Sequence, residues 1–467
     1  MRMPSIARPL PLFLVLALAV MLTSCARARP EQTIVAATSP GAVQPAQDPT
    51  AIYHQMGLIA TGSPLSFVGK IAYFASSSPD TTVMLASVSI PNKALSFVRD
   101  GDSYRAPYEV HLTLTQGTSQ VAAVNSMEIV RVPTFKEINR SDESVIFQHY
   151  FRVPPGSYNL SFQVRDATSA RSTSQEGAVV VPALRGGHLS TPVLVYEATP
   201  RATLDSLPRI LASPRSSAVF GQDSTVGVYL EGYGTQARLP VGFIVQNDRG
   251  AVTWRDTVEL QRHGNLLSGS VKIPISRVGI GIANVTFTRS DATDTVRVPV
   301  FVSFGNEIPL VSYEEMLSEL RYYAAPDRIR SLRDASPERR GTAWAEFLRS
   351  TDPTPSTSEH EGLQAYFGRI LQANARFREE SRGGSGWLSD RGKVFVSIGE
   401  PDQIYEQNTN VPLTATSVTQ RSRVQYWEYG QYRVRFLFYD ETGSGRWRLT
   451  PASEAEFQSI NARILVH

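Results

Sequence analysis

Tyr108-Glu109-Val110-His111-Leu112-Thr113-Leu114-Thr115 alternates apolar and polar residues without a break. Successive side chains of a strand point to opposite faces, so this stretch predicts a strand with one buried and one wet face. Tyr158, Leu160, Phe162 and Val164 alternate in the same way with Asn159, Ser161, Gln163 and Arg165, and Pro154-Pro155-Gly156-Ser157 before them reads as a turn. Short alternating runs separated by turn signals predict an antiparallel β-sandwich over residues 51–199.

Downstream, the theme returns. Val226, Val228 and Leu230 form one run, Val241, Phe243 and Val245 a second, and Val296, Val298, Val300 and Val302 a third. A second, immunoglobulin-like sandwich is expected over 200–306. Pro299 interrupts its last run and demotes it to an edge strand or a bulge, because proline donates nothing to a ladder. From about Pro309 the period changes. Ser312 and Glu315 form a capping box ahead of Met316, Leu317 and Leu320, and Pro326 is read as ending that helix. Ser336-Pro337 starts another with Trp344, Phe347 and Leu348 on one face. Ser358 and Glu361 cap a third, with Leu363, Tyr366, Phe367, Ile370, Leu371 and Phe377 as its stripe. Val394, Val396 and Ile398 suggest a strand over Lys393 to Ile398. Arg423 to Tyr429 and Tyr432 to Tyr439 suggest a hairpin about Gly430-Gln431, and Ser453 with Glu456 a short last helix. The fold class is therefore mainly β with an α+β C-terminal part, residues 307–467.

At the other end, Arg2 and Arg8 precede an apolar run from Leu10 to Leu22. A spanning helix needs about 20 apolar residues, so this shorter run fits a signal-peptide core over residues 1–24. Leu22-Thr23-Ser24-Cys25 then resembles the lipobox of bacterial lipoproteins. The resemblance implies lipidation of Cys25, the single cysteine of the chain, which also excludes an internal disulfide and a cysteine metal site. Residues 26–49 are rich in Ala, Pro, Thr and Gln, and 25–50 are read as a lipidated flexible tether. The chain has 46 basic against 43 acidic residues, a net of +3; the leader holds two of the basic ones and no acid, leaving +1 for the rest. That balance argues against a nucleic-acid groove or a polybasic membrane patch. Ala26, where an aspartate retains lipoproteins in the inner membrane of some bacteria, leans toward the outer membrane, facing the periplasm.

Gly386-Trp387-Leu388-Ser389-Asp390-Arg391-Gly392, the run to Ile398 and then Gly399-Glu400-Pro401-Asp402 resemble the signature of the bacterial GWxTD-domain family. Phe347-Leu348, Asp352-Pro353-Thr354-Pro355, Trp427-Glu428-Tyr429 and Phe436-Leu437-Phe438 extend the likeness over roughly residues 310–450. Three positions depart from it: Ser389 for Thr, Glu400 for a small residue or proline, and His360 for Asn. The family carries no assigned activity, so the resemblance labels the domain without naming a reaction. A looser likeness, to the helix-plus-sheet modules of outer-membrane assembly lipoproteins, implies protein binding without catalysis.

The residues themselves allow two readings. In the structural one, Trp387 plugs a core, Asp390 accepts from loop amides, Arg391 pairs with Asp390 or Asp402, and Gly386, Gly392 and Gly399 take angles closed to other residues. In the functional one, Asp390, Arg391, Glu400, Asp402 and Trp427 form a site. A strand from Lys393 to Ile398 would hold its two ends about 20 Å apart, too far for a glycosidase dyad. Trp427, Tyr429, Tyr432 and Trp447 offer an aromatic platform for sugar or peptide, or else core. The seven histidines show no metal-ligand spacing, and no cofactor is implied. The expectation is a membrane-anchored envelope lipoprotein that binds or scaffolds a protein or polysaccharide partner without catalysis. The rival is a hydrolase of cell-wall or surface polymer using these carboxylates; two of them in one pocket, one with a raised pKa, would favour it.

Overall fold

A computed structural model describes residues 50–138, 143–169, 171–220, 222–291, 294–303, 313–336, 339–356, 360–377, 385–412, 419–440 and 443–465, with the backbone alone over 408–412 and 419–422. Cys25, Ser312, Pro337 and Ser358, with the leader and the tether up to Pro49, lie outside the described residues.

The alternating stretch that opened the reading lies in the strand Ser103–Gln116. Val110, Leu112 and Leu114 are fully buried, as are Leu160, Phe162 and Val164 on the neighbouring Gly156–Asp166. These strands, with Val98–Asp100, Ser119–Val132 and Ser172–Val181, make one sheet. It packs on a four-stranded sheet ordered Ile59–Thr61, Phe67–Ala75, Thr82–Pro91, Ser144–Val153. One core, including Phe67, Met84, Val88, Leu112 and Phe162, fills the space between them.

The next unit is one nine-stranded sheet. Its order runs Arg209–Ala212, Val193–Thr199, Thr225–Gly232, Leu266–Pro274, Val252–His263, Arg238–Asn247, Gly281–Arg289, Thr295–Ser303, Ser217–Val219. Val228 and Leu230 near one end share a core with Val285, Phe287, Val298 and Val300 near the other, so the sheet curls over on itself. Its two layers are halves of one ladder. The strand Val193–Thr199, placed with the first sandwich by sequence, pairs with Thr225–Gly232 and so belongs here. Ser217–Val219 closes the far edge by parallel pairing with Phe301–Ser303. Pro299 faces Asn284 on one side and lies beyond the reach of that short parallel strand on the other, an edge position that needs no donor.

Phe67–Ala75 and Thr82–Pro91 are buried on both faces, because the first unit's four-stranded sheet is clamped against the second unit. Odd residues such as Phe67 and Tyr73 enter their own core. Val68, Ala72 and Phe74 alternate with them and pack in the seam between the units, against residues such as Phe301 and Tyr229. Polar bonds fasten the seam: Tyr73 N–H donates to Thr191 Oγ1 at 3.1 Å and Ala75 N–H to the Tyr233 hydroxyl at 2.8 Å. The buried Arg201 guanidinium grips both oxygens of buried Glu231 at 2.8 Å and donates to Ala75 O at 2.7 Å. The Tyr229 and Tyr233 hydroxyls complete the shell of that carboxylate at 2.9 Å each.

The C-terminal part is helices followed by a small antiparallel sheet. The helices are Tyr313–Glu319, Pro326–Asp334, Arg340–Thr351, Glu361–Arg376 and Asp390–Ile398, with Pro451–Ile464 closing the chain. The sheet is ordered Gln403–Pro412, Thr419–Tyr429, Val434–Asp440, Arg448–Leu449. Several local expectations need correction. Pro326 starts a helix, at the position where its missing N–H costs nothing. His360, by accepting from Leu363 N–H, caps the helix assigned to Ser358. Thr450 caps the last helix, which is 14 residues long. Above all, Lys393 to Ile398 is helical and not a strand. Ser389 accepts from Gly392 N–H as its N-cap, and Gly399, at φ +103°, ends it. Val394, Phe395, Val396 and Ser397 are all buried, so the helix has no polar face to impose a 3.6-residue period on its sequence.

Candidate functional site

The signature folds as a single turn, Gly386–Leu388, running into the helix Asp390–Ile398. Ser389 locks the junction twice: its hydroxyl donates to Gly386 O at 2.7 Å and accepts from Gly392 N–H at 3.0 Å. Threonine carries the same hydroxyl, so the departure from the family pattern keeps the group that locks this junction. Two of the three glycines are needed for space and not for their angles. A Cβ on Gly386 would lie 2.2 Å from Ala373 O, and one on Gly392 would lie 2.0 Å from Gly386 O. Gly399 alone of the three has a positive φ.

Trp387 is core, as the structural reading expects. It is 4% exposed, its backbone N–H donates to Asn374 Oδ1 at 3.1 Å, and Tyr322 meets its ring edge-on with centroids 6.1 Å apart. Arg321 covers its face at 4.9 Å. Asp390 ties the helix start to the sheet: Oδ2 accepts from Leu449 N–H at 2.8 Å, and Oδ1 lies 3.2 Å from Lys393 Nζ and 4.0 Å from Arg448. Arg391 is placed by aromatic rings. Its guanidinium lies between the rings of Phe377 and Trp447, at 5.3 and 5.0 Å, and Arg423 stacks on Trp447 at 5.1 Å. A guanidinium is planar and weakly hydrated, which suits it to such a stack.

Glu400 is exposed and held by Arg376 through two bonds of 2.5 and 2.8 Å. Hydrogen bonding from Arg376 outweighs desolvation and keeps the Glu400 carboxyl below the ordinary glutamate range. A general acid needs the opposite shift. Asp402 Oδ2 accepts from Gly430 N–H at 2.6 Å and so pins the hairpin. Trp427 is 1% exposed, and its indole N–H donates to Gln425 Oε1 at 2.9 Å. Tyr429 and Trp447 are buried as well, which removes the platform imagined from sequence. The helix shortens the separation between the two signature ends to about 12 Å of rise. The carboxylates nonetheless point to three separate structural tasks. An open groove of 450 Å³ runs between the helices Pro326–Asp334 and Arg340–Thr351, lined by Arg328, Leu332, Ala343 and Phe347, and none of the signature residues lines it.

The sequence reading missed the opposite face of the C-terminal sheet. Register places Tyr405, Tyr426 and Leu437 in one row across three strands, and Gln407, Val424 and Tyr439 in the next. Neighbouring Trp427, Phe436 and Phe438 point inward, so these rows point out. Tyr405 is 49% exposed and Tyr439 36%, and Arg435 lies over the Tyr426 ring at 5.9 Å beside its partner Glu428. The signal was present in the sequence: two aromatic strands that alternate must carry two faces.

Residues 285–442 match the family described as the GWxTD domain, which bears out the resemblance of the C-terminal third. No curated protein matches the chain. Among solved structures it is similar to dimeric latent PorU from Porphyromonas gingivalis at 9% identity and a TM-score of 0.23, covering 50% of this chain and 20% of that one. It is also similar to a Bifidobacterium dentium beta-glucuronidase, at 7% identity and 0.18, covering 52% and 49%. A third is the trypsin-activated alpha-2-macroglobulin of Escherichia coli, at 8% identity and 0.18, covering 53% and 18%. At these scores the likenesses carry no argument about fold or function.

Proposed function

We propose that the chain is an envelope lipoprotein, tethered through Cys25, that binds a protein or polysaccharide partner without catalysing a reaction on it. What supports this most is the outward row of Tyr405, Tyr426 and Leu437, with Tyr439 in the next row, on a sheet braced from behind by helices. Amphipathic rings on a rigid surface supply contact area at low entropic cost. The carboxylates the hydrolase reading needs are engaged elsewhere: Asp390 by Lys393 and Leu449, Glu400 by Arg376, and Asp402 by Gly430.

Two experiments test this proposal. Tyr405→Ser and Tyr426→Ser together are expected to cut capture of the partner by crosslinking in producing cells at least tenfold, about 1.4 kcal/mol or more, with the thermal midpoint unchanged. Glu400→Gln is expected to leave capture intact. Undiminished capture by the double tyrosine variant, or loss of it in Glu400→Gln, refutes the assignment. For the anchor, Cys25→Ser is expected to abolish labelling by a fatty-acid probe and to leave uncleaved precursor, and persistent labelling rules the lipoprotein reading out.

A further inference from the structure

Lys70 shares the seam-facing parity of Val68, Ala72 and Phe74, so a lysine is set into an otherwise apolar row between the two β units. It is buried, and its Nζ lies 2.6 Å from Ser216 Oγ. Ser216 is 0% exposed and holds φ at +49°, a conformation that L-residues rarely adopt, so the backbone is committed to presenting that hydroxyl. Because Ser216 is sealed from solvent, the pair offers no nucleophile to a substrate.

Among the described residues, the charged and titratable groups around the seam do not balance an ammonium there. Glu231 is filled by Arg201, Tyr229 and Tyr233. Tyr150 and Arg152 on Ser144–Val153 bond to Pro208 O and Asp205 O. Arg215 on the Ser216 side is itself cationic, Tyr53 and His54 lie on the helix Ala51–Gln55, and Tyr196 and Glu197 are exposed on Val193–Thr199. Desolvation therefore acts on Lys70 unopposed and lowers its pKa to about 7.

We propose that Lys70 makes the seam between the two β units an acid-loosened joint. The seam is closed tightly while the amine is neutral and bonded to Ser216. It weakens when the amine takes up a proton for which the described residues of the seam hold no counter-charge. The buried value near 7 lies below the 10.5 of a free lysine. Between those values the opened seam binds the additional proton. Closure therefore strengthens as pH rises through that window, by up to about tenfold per pH unit, and is weakest below 7, where both states are protonated.

Hydrogen exchange of the full chain, corrected for the intrinsic pH dependence of amide exchange, reads this directly. From about pH 7 to about pH 10, protection across Phe67–Ala75 is expected to climb by up to about tenfold per unit, while Ser103–Gln116, away from the seam, climbs less. Lys70→Met is expected to give high protection without the slope, and Lys70→Leu serves if that variant does not fold. A flat wild-type profile, or an undiminished slope in either variant, overturns the proposal. The wild-type profile decides the matter even if neither variant folds.

Discussion

Arg201→Met is expected to destabilise the paired β units by about 3–5 kcal/mol, the cost of leaving a buried carboxylate without its cation. The loss is concentrated on one group. Glu231 is 0% exposed and takes two bonds from Arg201, so the variant strands a charge that water cannot reach. The same guanidinium also donates to Ala75 O, Leu204 O and Ser206 O, which ties the seam strand to the connection after Val193–Thr199. Adding Glu231→Leu should recover part of the loss, because it removes the stranded charge. The urea midpoint of the β units measures both. A single-variant loss below about 1 kcal/mol would show that the carboxylate finds water and that the pair is not sealed.

The second large effect lies in the signature. Trp387→Ala should cost about 3–5 kcal/mol, since it empties a site lined by Tyr322, Arg321 and the Glu361–Arg376 helix. Asp390→Asn should cost less, about 1–3 kcal/mol, because it weakens the bonds to Lys393, Arg448 and Leu449 N–H while filling the same volume. Circular dichroism melts of the full chain rank the two. Should Asp390→Asn melt at or above the unaltered protein while partner capture is lost, the structural reading of the motif fails and a binding site belongs there.

The β part was legible because its strands are half-buried. Tyr108 to Thr115 sees a core on one side and water on the other, and period two is written into it. Where that asymmetry fails, so does the reading. Val394, Val396 and Ile398 mimic a strand because their helix is buried nearly all round, and the decisive signals were the caps: Ser389 ahead of it and Gly399 behind. The same cause hid the seam. Phe67–Ala75 is buried on both faces, so its apolar run says nothing about what lies on either side, and Lys70 alone breaks the pattern. The bonds that hold the signature carboxylates were not legible in the motif. Arg376 with Glu400, Leu449 N–H with Asp390 and Gly430 N–H with Asp402 are contacts between segments far apart in sequence, which spacing within the motif cannot reveal.

The curled nine-stranded sheet also sets an order of events. Among the described residues Ser217–Val219 pairs with Thr295–Ser303, and Arg238–Asn247 pairs with Gly281–Arg289 as well as with Val252–His263. Both units pair strands distant in sequence, Thr82–Pro91 with Ser144–Val153 in the first, and the second cannot close its ladder until its last strand arrives. Until then Val228 and Leu230 lack Val298 and Val300, which share their core. Such long-range closure is slow, and the half-made sheet presents a sticky edge. Holding factors should therefore matter most while residues between the strands Val193–Thr199 and Thr295–Ser303 are being delivered.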